Sequence, residues 1–121
     1  MLIELNNKMV EIDDDCVDLV LFFNEVGLKT KYSCQGHREN EPFQIVFDDS
    51  VTDDQIKDFL KVNLNKFGHS NAVGKFSKWY RYMSGELVSN WLFTCETVHF
   101  ARVSYMRFIE NKEKYNDIKS N

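Results

Sequence analysis

The chain has little proline and glycine, 1 and 5 residues, and only 3 cysteines in 121. So little backbone punctuation excludes collagen-like repeats and flexible linkers, and an apolar content of 43% excludes a disordered chain. No apolar run approaches the roughly 18 residues a membrane span requires. The opening MLIELNNK lacks the basic-then-apolar layout of a signal peptide. A cytoplasmic protein is therefore expected. An odd set of cysteines, Cys16, Cys34 and Cys95, makes no disulfide framework and fits a reducing compartment. A length of 121 residues supports one core, so a single cofactor-free domain over residues 1–121 is expected.

What the chain does hold is rings and an uneven charge. Aromatics make up 14% of it, which favours a ring-packed sheet with some rings lining a ligand or partner surface. Residues 1–60 carry 14 acids and 5 bases, whereas residues 61–121 carry 5 acids and 10 bases. The electropositive second half argues for an anion site or partner surface built from the later elements; solvated helix faces are the alternative. A pI of about 5.3 without a basic reading element argues against a nucleic-acid polymer as partner.

Residues 2–12 alternate as a strand, or as a short hairpin turning at Asn6-Asn7. Asp13-Asp14-Asp15 then opens a helix on which Val17, Leu19, Val20, Phe23 and Val26 recur, with Gly27 closing it. Leu21 and Phe22 lie off that stripe, so the helix is expected to be covered on several sides, by a sheet and by a second copy. Strands are predicted at 28–33 and 43–47 with a polar loop between. Thr52-Asp53-Asp54-Gln55 matches a capping box ahead of Ile56, Phe59, Leu60 and Leu64, with Gly68 ending the helix. Residues 75–83 and 87–94 read as a hairpin about Ser84-Gly85-Glu86. A long amphipathic helix is predicted from about Cys95 to Tyr115, with Val98, Ala101, Tyr105, Phe108 and Ile109 on one stripe. The fold class is α+β: an antiparallel β-sheet of two or three hairpins packed with three α-helices.

Three constellations carry chemistry. In the loop Ser33-Cys34-Gln35-Gly36-His37-Arg38, a glycine among polar groups can offer backbone N–H groups to an anion, with His37 and Arg38 adding charge-assisted hydrogen bonds. A loop that satisfies its own backbone is the alternative. Cys34 with His37 nearby has no third residue to orient a base, so no catalytic set is assigned and a non-enzyme is expected. Cys34-x2-His37 and Cys95-x3-His99 resemble two zinc half-sites, against which stand a buried thiol and a helix-face histidine; no metal ligand is assigned. On the second hairpin and last helix, Tyr80, Arg81, Asn90, Arg102 and Arg107 stand with Phe76, Trp79, Tyr82 and Trp91. Rings stack on a base, an amide reads its edge and arginines neutralise phosphate. Alternation puts Trp79 and Arg81 on one face, Tyr80 and Tyr82 on the other. The alternative is that about half of these residues are core.

Two stretches, GLKTKYSCQGHREN (27–40) and KWYRYMSGELVSNW (78–91), resemble small phage-encoded proteins of low-GC bacteria. Tyr80, the asparagine ten residues on at Asn90, and the arginine seventeen further at Arg107 stand at intervals similar to those of the phage Thoeris anti-defence nucleotide sponge. That resemblance implies a homodimer or higher homo-oligomer that holds a cyclic ADP-ribose signal without catalysis. It also implies a separate site for cyclic oligonucleotides, for which the Ser33 to Arg38 loop is the candidate. The expected function is sequestration of a small anionic nucleotide in the host cytoplasm. The competing expectations are an inhibitor that binds a host protein directly through the acidic half, and a small zinc-binding protein.

Overall fold

Two asparagines at positive φ, Asn6 (53°) and Asn7 (67°), turn the first hairpin, β1 (Leu2–Leu5) to β2 (Lys8–Glu11). Both central residues of a two-residue turn at positive φ match the right-handed twist of the strands they join. The computed structural model describes residues 1–36, 41–63 and 74–120. After a 3-10 turn at Asp14–Cys16 comes α1 (Val17–Glu25), closed by Gly27 at φ 93°. Next are β3 (Thr30–Cys34) and β4 (Phe43–Phe47). Thr52 and Gln55 then form the expected reciprocal cap on α2 (Asp53–Val62). The expected Leu64 and Gly68 lie outside the described residues. The last strands are β5 (Lys75–Met83) and β6 (Glu86–Cys95), turned by Ser84 and Gly85, again both at positive φ.

The expected long terminal helix is divided. Cys95 completes β6, α3 runs Val98–Glu110 from a Thr97 cap, and α4 runs Lys112–Lys119. At the break, Asn111 Nδ2 donates to Asn63 Oδ1 at 3.2 Å, and Tyr115 turns into the core against Phe59. A contact with the end of α2 therefore adds a fourth α-helix to the expected three. Ile109, expected on the buried stripe, is 43% exposed.

The four-stranded sheet has the order β3-β4-β6-β5, antiparallel throughout, with β1-β2 as a separate pair. Phe43, Ile45, Phe47, Phe76 and Phe93 point to the side where all four helices lie. Phe22 and Phe23 of α1, Phe59 of α2, Phe108 of α3 and Tyr115 of α4 close an aromatic core over them. Edge-to-face pairs such as Phe23 with Phe47 (5.0 Å between centroids) give each ring attraction beyond burial. Leu19, Val20, Phe22, Phe23 and Val26 are all buried within the chain, and Leu21 alone of the helix's leucines is exposed. Most of the apolar surface of α1 is thus covered by the chain's own sheet and α3, with Leu21 left exposed.

Candidate ligand-binding face

Strand alternation divides the residues singled out in the sequence. Tyr80 shares the parity of Phe76 and so projects on the helix side, near the end of β5, where it is 58% exposed. Asn90 shares the parity of Leu92 and projects on the other side. Arg107 is exposed on α3, which packs through Phe108 on Phe93 and belongs to the helix side. Tyr80 and Arg107 therefore lie across the sheet from Asn90, and the three do not converge within one chain.

Asn90, 3% exposed, is occupied by its own fold. Its Nδ2 donates to the Phe47 carbonyl at 2.9 Å, just past the last β4–β6 pair, Val46 opposite Leu92, and to Asp49 Oδ1 at 2.6 Å. Its Oδ1 accepts from Arg81. Lys31 reaches Asp49 from the far edge at 3.2 Å. Hydrogen bonds from Asn90 and Lys31 hold the Asp49 carboxyl below the usual carboxylate range. Arg81 also lies 4.7 Å from the centre of the Trp79 ring, which bears out the shared face expected for these two residues.

The loop residues take structural parts. Ser33 faces the core side, beside the buried thiol of Cys16. Gln35 is held at both ends: its backbone N–H donates to Asp13 Oδ2 at 3.0 Å, and its side-chain oxygen accepts from the Asp15 N–H at 3.1 Å. Gly36 has φ 85°, and a Cβ there would stand 2.5 Å from the Glu41 carbonyl oxygen, so the position demands glycine. His37 and Arg38 lie outside the described residues. Arg102 on α3 donates to Asp15 Oδ1 at 2.8 Å, an exposed pair worth little.

Cys16 and Cys95 are set apart from metal chemistry by burial. It pushes the Cys16 thiol up to about 12 and that of Cys95 to about 11, where a thiolate ligand is disfavoured. Among the described residues, no group of three or more His, Cys, Asp or Glu side chains is placed to hold a metal ion.

The constellation that does come together was missed in the sequence. On the sheet face away from the helices, Tyr32 and Trp79 stand 54% and 51% exposed. Between them lies a groove of about 700 Å³ floored by Val46 and Leu92, with Gln44, Ser77 and Lys31 along it. Arg81 and Asn90 close one end of this face through the Trp79 stack and the Asp49 pair. The signal available beforehand was the alternation Thr30, Tyr32, Cys34, yet a register shift between Thr30 and Tyr32 makes the face of Tyr32 unreadable without the partner strand.

Among the described residues no helix is long and apolar enough to cross a membrane. No curated protein and no solved structure matches the chain. The family model of the YoqC prophage protein matches residues 2–119, and the chain belongs to that family.

Proposed function

Starting from a phage-encoded member of the YoqC prophage family, we propose a binding protein that sequesters a small anionic nucleotide, of the cyclic ADP-ribose or cyclic dinucleotide kind, in the host cytoplasm without altering it. Holding such a signal would blunt a defence response of the host. One observation carries the reading: two half-exposed rings, Tyr32 and Trp79, flank a groove on the bare sheet face, with a guanidinium stacked on the tryptophan. A purine has two flat faces for such rings, Gln44 and Ser77 are hydrogen-bonding groups for its edge, and Lys31 and Arg81 supply charge for phosphate. These groups stack, donate and neutralise, which is all that capture asks. The spacing of Tyr80, Asn90 and Arg107 suggests this ligand class by resemblance alone, since the fold does not bring the three together. Their separation across the sheet moves the proposed seat to the Trp79 face.

The test is thermal denaturation and tryptophan fluorescence of the purified protein against cyclic ADP-ribose isomers and cyclic dinucleotides. Binding at about 100 times the dissociation constant adds roughly 2.7 kcal/mol and raises the melting temperature by several degrees. The gain is expected to vanish in Trp79→Ala and Arg81→Ala and to survive in Arg107→Ala. Mass spectrometry should recover the nucleotide unchanged. No shift across the panel at millimolar concentration, or any turnover, overturns the reading.

A further inference from the structure

The two cations that the bare sheet face offers to a phosphate are already engaged. Lys31 of β3 reaches Asp49 Oδ1, just past the end of β4, at 3.2 Å. Asn90 of β6 donates to the same oxygen at 2.6 Å, and Arg81 of β5 donates to Asn90 Oδ1. With strands in the order β3-β4-β6-β5, these four side chains form one rail across the whole sheet, ending where Arg81 lies over the Trp79 ring.

The rail holds two cations and a single carboxylate. Its amide is fixed by the fold, since Asn90 is 3% exposed and also donates to the Phe47 carbonyl. The carboxylate is not: 71% of the Asp49 side chain is exposed. An ammonium and an amide N–H hold it, and the guanidinium beyond the amide acts on it through charge. A phosphate oxygen asks for the same donors as a carboxylate oxygen. The donor set is thus arranged for an anion, and a side chain of the protein supplies one.

We propose that Asp49 is the resident anion of the groove's phosphate seat, and that it selects guests carrying at least two negative charges. The inference rests on the nucleotide reading of the groove and narrows it. A phosphate that takes Lys31 over from Asp49 comes within a few ångström of a carboxylate, and like charges so close oppose each other. A neutral nucleoside gains nothing from the exchange. A guest with a diphosphate bridge or two phosphodiesters brings a second charge to Arg81, which offsets the repulsion.

The test is Asp49→Asn, which removes the charge and keeps an oxygen to accept from Asn90 and Lys31. Circular dichroism and melting should match the natural chain, and Asp49→Ser, with a smaller acceptor, should behave alike. Calorimetry and tryptophan fluorescence are read with inorganic pyrophosphate and with a cyclic dinucleotide. Both probes should bind either variant about tenfold more tightly than the natural chain. Adding Lys31→Met to Asp49→Asn should remove the gain. Asp48→Asn is the control: its carboxylate stands one residue earlier and is bonded to the Ser50 hydroxyl at 2.6 Å, so affinity should change by less than about twofold. If the natural chain and Asp49→Asn bind the cyclic dinucleotide equally well, the inference fails and the groove reading stands. If pyrophosphate tightens on Asp49→Asn while no nucleotide binds either chain, the anion seat stands and the nucleotide reading fails. Equal pyrophosphate affinity in the two chains, or an equal gain from Asp48→Asn, overturns the proposal.

Discussion

On the face of the sheet that meets the helices, Phe43, Ile45, Phe47 and Phe93 of the two central strands are each at most 1% exposed, whereas on the opposite face Tyr32 and Trp79 of the two edge strands stand 54% and 51% exposed. Both faces carry rings. The helix side joins its rings to those of four helices, so removing one leaves a void that rigid neighbours cannot fill. The rings of the other side keep half their surface in water and contribute little to folding. Stability is concentrated on one face, and the opposite face is left able to change without unfolding the protein.

Substitutions can break that division, and the largest effect belongs to the core. Phe93→Ala, which removes a ring that meets Phe23, Phe76 and Phe108, should cost about 3–5 kcal/mol in urea denaturation. An equal loss from Trp79→Ala would erase the contrast between the faces.

Alkaline pH should act next, and most strongly through the helix side. Burial pushes Cys16, Cys95 and Tyr115 up to about 12, 11 and 12, from ordinary values of 9.0, 9.0 and 10.0. Each holds its proton more tightly folded than unfolded, so its contribution is complete below pH 9 and is lost as pH rises toward 11 to 12. The urea midpoint should stay level to about pH 9 and then fall steeply; a level midpoint to pH 11 would contradict the burial of these groups.

Asn90 is the polar exception on the ligand face. Asn90→Ala strands the Phe47 carbonyl and removes the partner of Arg81 and Asp49, and should cost about 1–3 kcal/mol by denaturant titration. The smallest effect sharpens the comparison most: Trp79→Ala should change stability by no more than about 0.5 kcal/mol while abolishing any nucleotide-induced rise in melting temperature. A large destabilisation there would show the groove to be part of the fold.

Much of the fold was legible because its cues are local. Asn6-Asn7 and Ser84-Gly85 are residues that tolerate positive φ between alternating runs, and both turn hairpins. Thr52 and Gln55 cap α2 because their hydrogen bonds span only three residues. The break at Asn111 escaped notice because its partner, Asn63, is 48 residues away. The candidate site escaped for the same reason. Spacing set Tyr80, Asn90 and Arg107 together, but a one-residue difference in strand parity sends Tyr80 and Asn90 to opposite faces. Tyr32 went unnoticed since its neighbours on the bare face come from three other strands.

Hairpins, caps, the aromatic richness of the core and the α+β class follow from the sequence by itself, because each depends on backbone preferences and hydrophobic periodicity within a few residues. Only the tertiary structure decided which rings are buried and which line a groove, and that Asn90 braces the sheet. Those outcomes depend on strand order and register, and they are set by contacts between residues tens of positions apart.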